Sequence, residues 1–194
     1  MSDDAQALRA AAEVHDPWAL ISPICFREPL APLTAAQRAG RAIRLAPVLS
    51  AFRALARRHD IMIVEGVGGL LAPLTVRLSV ADLAKRLGLP LLLVTRPDLG
   101  TLNHTLLTVR WARHCGLSMA GIVVNQAQRP LRNRLAQVVH RTNLRALRRL
   151  TGLPVLGPLP FDAAQRRRAI LPAVRASWLT RVCRHAALEH LLER

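Results

Sequence analysis

Short apolar runs alternate with longer amphipathic segments along the chain. The runs cover residues 61–64, 90–95, 121–125 and 154–157, and Gly, Pro or polar residues bound them. Uninterrupted apolar runs of this length are typical of strands that are buried on both faces of a parallel sheet. Because segments with helical spacing separate the runs, the pattern predicts a single α/β domain over residues 1–194, with helices flanking a parallel sheet.

Capping residues indicate where several of these helices begin and end. Ser2, Asp3 or Asp4 is suited to cap the first helix, while Ser79 and Gly88 are suited to begin and end a later one. The predicted helices cover 3–15, 34–58, 80–87, 103–115 and 129–150, with an extended segment at 18–26 and a basic helical tail at 161–194.

Polar residues stand at the end of three predicted strands. Glu65, Thr95 and Asn125 each follow an apolar run, and three of the four residues after Glu65 are glycine. Right-handed crossovers bring the carboxyl ends of parallel strands to one edge, where open α/β sheets bind their ligands. Since glycine lets a phosphate or carboxylate approach the backbone closely, we expect an anion-binding site there.

The amino-acid composition argues against membrane-spanning, secreted and disulfide-rich proteins. The chain is 51% hydrophobic, but no apolar run approaches the roughly 18 residues of a membrane-spanning helix. Its polar, acidic beginning does not resemble a secretory signal. Cys25, Cys115 and Cys183 are scattered and form neither a disulfide framework nor a zinc motif, so we expect a reducing, cytoplasmic location and no membrane association.

Basic charge is a second conspicuous property of the composition. The net charge is +16, with Lys85 the single lysine, and arginine is concentrated in residues 129–194. Such an asymmetry is one signature of nucleic-acid binding. The alternative is that these arginines lie on solvent-exposed helix faces and are frequent because the source genome is biased toward arginine. We favour that alternative and do not expect a nucleic-acid partner, because the chain has no Tyr and few Trp or Phe residues for stacking on bases.

Four motifs in the same order resemble the dethiobiotin synthetase family. They are Val64-Glu65-Gly66-Val67-Gly68-Gly69, Leu99-Gly100-Thr101-Leu102-Asn103-His104-Thr105, Gly121-Ile122-Val123-Val124-Asn125 and Leu156-Gly157-Pro158-Leu159-Pro160. The resemblance extends over residues 4–160. The Glu-Gly-x-Gly-Gly and Gly-Thr-x-Asn-His-Thr segments together are specific, whereas either alone is weak.

The resemblance implies a P-loop NTPase-like fold, a homodimer and a role in biotin biosynthesis. The expected enzyme is a ligase that uses ATP, Mg²⁺ and CO2 to close a ureido ring on 7,8-diaminononanoate, giving dethiobiotin, ADP and phosphate. A carbamate forms on one amine, the γ-phosphate activates it, and the second amine expels phosphate. Such chemistry depends on holding several anions together and screening their charge.

The resemblance also assigns residue roles. Asp4 and Glu65 are expected to hold the magnesium ion, as a hard cation bound to phosphates takes one or two carboxylates. The nucleotide-binding residues are expected to be Asp4, Glu65, Gly66, Val67, Gly68, Asn125, Gln126, Pro160, Phe161 and Asp162. Gly100, Thr101 and Asn103 are expected to bind the diamine substrate.

Ordinary local structure offers an alternative for several of these residues. Asp4 could be an N-cap, and Glu65 could cap the turn that follows it. Asn125 could close a strand-to-loop turn. Thr101 or Asn103 is expected to cap its own helix in any case. His104 is expected to be a packed helix residue rather than a general base.

The family's first strand and its G-x-x-x-x-G-K-[ST] (Walker A) loop are absent from residues 1–194. Lys85 cannot replace the family's lysines, because it lies in a predicted helix between two strands. No family catalytic residue is therefore retained. We expect the natural protein to begin further upstream, and we expect these residues alone to carry out neither ATP hydrolysis nor ring closure.

Three other functions stay open at this point. The chain could be a non-catalytic relative, an amide ligase relative acting on a corrinoid carboxylate, or a basic nucleic-acid-binding module. The Gly-Thr-x-Asn-His-Thr segment favours dethiobiotin synthetase over the corrinoid ligase. A steep salt dependence of DNA affinity would favour the nucleic-acid module.

Overall fold

The computed structural model describes residues 2–129 and 134–161. The elements in chain order are α1 (Asp3–Ala12), α2 (Trp18–Ile21), α3 (Pro32–Arg38), α4 (Leu45–Ala56), α5 (Val80–Leu87), β1 (Leu91–Thr95), α6 (Thr101–His114), β2 (Met119–Asn125), α7 (Arg134–Thr151) and β3 (Val155–Leu159). They form two compact units that divide between Gly88 and Leu89. The single domain over 1–194 remains a prediction, and the predicted tail lies outside the described residues except for Phe161.

The second unit contains a parallel sheet in the order β1-β2-β3, which confirms the predicted sheet type. Leu93 pairs with Ile122, and Ile122 also pairs with Val155. Helices α6 and α7 cover the same face, as two successive right-handed crossovers require. The core of this face is formed by Val109, Ile122, Val124, Leu144, Leu147 and Val155.

The first unit contains helices α1 to α5. Ser2 is the N-cap of α1, and its hydroxyl oxygen accepts a hydrogen bond from the Ala5 N–H at 3.2 Å. Ser79 and Asp82 form the capping box of α5, and Gly88 ends this helix with φ 69°. The predicted start and end of α5 are therefore confirmed. Within the described ranges, no helix combines the length and apolar character needed to cross a bilayer.

Two predictions for the first unit are wrong. The helix predicted at 34–58 is two helices, because the chain leaves α3 and passes through Gly40 at φ 60° before α4 begins. Glycine in a left-handed conformation is a common helix stop. The segment predicted as extended at 18–26 begins with the short helix α2, in which the Pro17 carbonyl accepts hydrogen bonds from the Leu20 and Ile21 N–H groups.

The strand predicted at 61–64 is also wrong. Residues 61–66 belong to no helix or strand, and the Ile63 side chain is 71% exposed. A strand exists only when another backbone satisfies its N–H and C=O groups. No described residue pairs with this segment, so Glu65 follows an unpaired segment rather than a sheet strand.

Candidate functional site

The junction between β1 and α6 presents an uncapped helix N-terminus. Gly100, at φ 93°, turns the chain into α6, and no side chain caps the helix. The His104 N–H donates the first helical hydrogen bond, to the Gly100 carbonyl at 3.2 Å. The N–H groups of Leu102 and Asn103 precede it in the first turn, where helical geometry provides no acceptor. They can therefore bind an anion, which the helix dipole also favours.

Three threonine hydroxyls hold α6 against the end of β1. Thr101 Oγ1 lies 2.7 Å from Thr95 Oγ1, and Thr105 Oγ1 donates to Thr95 Oγ1 at 3.0 Å. Thr101 is only 5% exposed. The expectation that Thr101 or Asn103 caps α6 is wrong, because the Thr101 hydroxyl is committed to β1 and no side chain of the helix takes its place.

A small cavity of about 20 Å³ opens beside this helix terminus, with room for one water molecule. Its lining residues are Thr95, Arg96, Asp98, Leu99, Thr101 and His104. His104 is exposed, so the expectation that it packs inside is wrong. The guanidinium of Arg96 adds a cation that suits a carboxylate at this place.

Asn125 and Gln126 lie at the same edge of the sheet. Thr95 pairs with Val124, so the ends of β1 and β2 meet as predicted. The Asn125 side chain is half-buried, and its amide makes no hydrogen bond with another described residue. Gln126 is only 7% exposed, and its Nε2 donates to the Gln128 carbonyl at 3.0 Å. The Gln126 side chain thus stabilises the loop that follows β2. Its contact with adenine remains a prediction.

The end of β3 is the third part of this edge. The Gln126 N–H donates to the Leu159 carbonyl at 3.0 Å. Pro160 and Phe161 follow directly after this contact in the chain. Pro160 is exposed and Phe161 is half-buried. Asp162, the last residue predicted here, lies outside the described residues.

Glu65 and the glycine-rich segment lie exposed in the first unit. Two hydrogen bonds tie the end of this loop to the start of α5, from the Ala81 N–H to Leu70 and from the Val80 N–H to Ala72. The Glu65 carboxylate makes neither an ion pair nor a hydrogen bond with a described residue, so no contact within the described ranges supports the alternative that it caps a turn. Gly66 and Gly68 are also exposed, and the Val67 residue is 50% exposed.

Asp4 lies exposed in the first turn of α1. The alternative that Asp4 is the N-cap is wrong, because Ser2 has that role. Among the described residues no cluster of three or more His, Cys, Asp or Glu side chains could hold a metal. Magnesium bound to phosphates needs only one or two carboxylates, so Asp4 and Glu65 fit that ion chemically. The meeting of Glu65 with Asn125, which belongs to the other unit, stays a prediction.

Two residues of the junction were missed by reasoning from the sequence. Thr105 was signalled by its spacing, since residues four apart share a helix face with Thr101. Asn143 had no such signal. It lies on α7, far along the chain from the loop whose carbonyls its amide contacts.

The chain is similar to known proteins over most of its length. A family model described as an AAA domain matches residues 2–167. An ATP-dependent dethiobiotin synthetase BioD of Anaeromyxobacter dehalogenans strain 2CP-1 is 53% identical over 123 residues, covering 63% of this chain and 55% of the relative. The same-named protein of strain 2CP-C is 46% identical over 169 residues, covering 86% and 74%. That of Thermodesulfovibrio yellowstonii is 38% identical over 168 residues, covering 83% and 68%.

The chain thus spans between about half and three quarters of the length of these curated relatives. The family model and the parallel sheet confirm the predicted P-loop NTPase-like fold class. The chain belongs to the ATP-dependent dethiobiotin synthetase family.

Proposed function

We propose that the protein is an ATP-dependent dethiobiotin synthetase of biotin biosynthesis. It forms a carbamate from 7,8-diaminononanoate and CO2 and closes the ureido ring with release of ADP and phosphate. The observation that carries this proposal is the uncapped start of α6. It presents the Gly-Thr-x-Asn-His-Thr segment next to the end of β2, in a chain 46% identical over 169 residues to a BioD protein.

The start of α6 is the proposed site for the carboxylate of the diamine. The amide groups of the first turn, with Gly100 at the turn and Asn103 exposed, provide neutral donors and the positive end of a helix dipole. Because the Thr101 hydroxyl is bound to Thr95 and its N–H donates to the Asp98 carbonyl, Thr101 would hold the first turn in place for the substrate. The two amines at the other end of the substrate are then free, one to form the carbamate with CO2 and the other to attack the activated carbamate carbon and expel phosphate.

Nucleotide contacts are proposed for two sets of residues, one at the strand ends of the second unit and one in the glycine-rich segment of the first unit. The Asn125 amide can donate and accept at the adenine edge at once. Gly66, Val67 and Gly68 would line the phosphates, where two of the three residues have no Cβ to obstruct approach. Asp4 and Glu65 would hold Mg²⁺, which when bound neutralises charge that develops on the phosphates.

A homodimer is the proposed assembly, as the family resemblance implies. Leu107 and Trp111 lie one turn apart on α6, and both are exposed, at 59% and 38%. A second copy would bury such apolar area beside the proposed substrate site. A reducing cytoplasm is the proposed location, as the scattered cysteines of the sequence imply.

Dethiobiotin formation tests the proposal. Because residues 1–194 contain no G-x-x-x-x-G-K-[ST] loop, the assay uses this chain fused to a segment that carries the family's loop, beside the chain alone. Each protein is incubated with 7,8-diaminononanoate, ATP, Mg²⁺ and bicarbonate, and dethiobiotin is measured by mass spectrometry. We expect product from the fusion and none from the chain alone.

The variant Glu65→Gln is expected to lower turnover of the fusion roughly 100-fold, the usual effect of removing one group that stabilises charge in a transition state. Asp60→Asn is the matched control, since Asp60 is also an exposed acid of the same segment. The proposal fails if a fusion that binds Mg²⁺-ATP forms no dethiobiotin. Equal activity of the two variants would contradict the proposed role of Glu65 in holding Mg²⁺.

A further inference from the structure

A buried amide from α7 shapes the loop that leads into α6. Asn143 is 8% exposed, and its Nδ2 donates to the Pro97 carbonyl at 3.0 Å and to the Asp98 carbonyl at 3.3 Å. Burying an amide is unfavourable unless its groups are hydrogen-bonded. These two bonds therefore tie the position of the loop backbone to the position of α7.

The Asp98 carbonyl connects this contact to the start of the helix. It also accepts a hydrogen bond from the Thr101 N–H at 3.2 Å, which closes the turn around Gly100. A displacement of Asp98 would therefore displace the first turn of α6. The amide groups of Leu102 and Asn103 would move with it.

A second contact comes from the same face of α7. His140 Nε2 lies 3.6 Å from Asp98 Oδ1, and His140 and Asn143 are three residues apart, so they share a helix face. On the opposite side, the hydroxyls of Thr95 and Thr105 hold α6 to β1. The junction is thus fixed from the strand by hydroxyls and from α7 mainly by Asn143.

We infer that Asn143 is a positioning residue for the carboxylate of the diamine, acting through the Pro97 and Asp98 carbonyls. The inference rests on the proposed function. An anion held by two backbone amides loses affinity quickly when those amides move, because binding depends on their placement within about 1 Å. A role limited to stabilising α7 would affect folding but leave diamine affinity unchanged.

The test compares Asn143→Ala with Thr151→Ala. Thr151 is also on α7 and is 3% exposed, and its hydroxyl makes two hydrogen bonds, donating to the Leu147 carbonyl and accepting from the Leu153 N–H. Thr151 is the last residue of α7, whereas Asn143 lies near the middle of this helix. Both variants are expected to lower Tm. Only Asn143→Ala is expected to raise the Kd for 7,8-diaminononanoate, by about tenfold, the value of roughly one hydrogen bond.

Hydrogen exchange provides a second readout that does not require the ligand. Exchange of the Thr101 and His104 amides, which donate to the Asp98 and Gly100 carbonyls, is expected to be faster in Asn143→Ala and unchanged in Thr151→Ala. If Asn143→Ala does not fold, Asn143→Ser is measured instead. Because serine keeps a hydrogen-bond donor, its effects on affinity and exchange are expected to be of the same kind but smaller. In the fusion that carries the family's loop, the affinity for Mg²⁺-ATP is expected to stay unchanged in each variant.

Two failures are distinguishable. If the fusion described above does not bind 7,8-diaminononanoate, the proposed function is contradicted together with the ligand named here, while exchange still decides whether Asn143 orders the junction. If the fusion binds the diamine and its Asn143→Ala variant binds it equally with unchanged exchange, the inference on Asn143 is overturned and the proposed function stands.

Discussion

Gly157 shows how the absence of one side chain lets two strands pair. It lies in β3 with φ 103°, a conformation that residues with a Cβ rarely adopt. A Cβ at this position would lie 2.5 Å from the Val124 carbonyl oxygen and 2.9 Å from the Leu159 nitrogen. Both neighbours are backbone atoms, which cannot turn away as a flexible side chain can. The close approach of β3 to β2 therefore depends on glycine.

Gly157→Ala is expected to destabilise the protein by about 1–3 kcal/mol through overpacking, in addition to about 1 kcal/mol of backbone strain. Gly152→Ala is the matched control, since Gly152 has φ 67° and no atom within 4 Å of its added Cβ. Chemical denaturation of the two variants measures the difference. Equal free energies of unfolding would show that the contact with Val124 costs nothing.

At this scale short motifs in the sequence suggest candidate site residues and give no signal for residues whose partners are distant in the chain. Gly100, Asn103 and Asn125 could be proposed because each stands in a continuous motif at a strand end or helix start, and their roles remain predictions. Asn143 could not be identified, because its hydrogen-bond partners are 45 and 46 residues away and only the packing of α7 brings them together. Glu65 was recognised by its motif, although the strand predicted before it does not form.

Asp16 joins two elements of the first unit. Its Oδ2 lies 2.6 Å from His59 Nε2, and its Oδ1 accepts from Arg58 Nη1 at 3.2 Å, so the connection from α1 to α2 is bound to the end of α4. The hydrogen bond with His59 lowers the pKa of Asp16 below its ordinary value of 3.8, and Arg58 adds to this, while burial acts in the opposite direction. The ionised carboxylate is therefore the form that the folded protein favours.

A carboxylate whose pKa is lowered on folding stabilises the protein above its unfolded pKa, and that stability is lost as the pH falls through the folded pKa. Asp16→Asn is expected to lower the free energy of unfolding at pH 7. The difference from the unmodified protein should shrink as the pH falls below 3.8. Denaturation across a pH series measures this. A difference that is the same at pH 7 and pH 3 would contradict the assignment.

Element types were predictable where local signals agreed with the packing. The three apolar runs that form β1, β2 and β3 find partners in one another, and α5 carries both of its capping signals. The single helix predicted at 34–58 failed because Gly40 outweighs the apolar spacing on either side. The strand at 61–64 failed because an apolar run gives no information on whether a partner strand is present.

The class of the whole fold followed from the alternation of strands and helices, since parallel strands need crossovers. The division of the chain into two units at Gly88 could not be predicted from the sequence, because it depends on which segments pack together and not on any break in composition. Family membership followed from two motifs in one order, and the relatives bear this out at 38–53% identity.

For the whole molecule, the proposed function depends on one placement: we propose that the carboxylate of the diamine binds at the start of α6. The most direct measurement is a titration of the isotope-labelled chain with 7,8-diaminononanoate, followed through backbone amide chemical shifts. We expect saturable shifts at Leu102 and Asn103, where no side chain caps the helix. The matched ligand, a diamine of the same length without the carboxylate, should leave these amides unshifted. Saturable binding that shifts amides elsewhere and leaves Leu102 and Asn103 unchanged would contradict the claim.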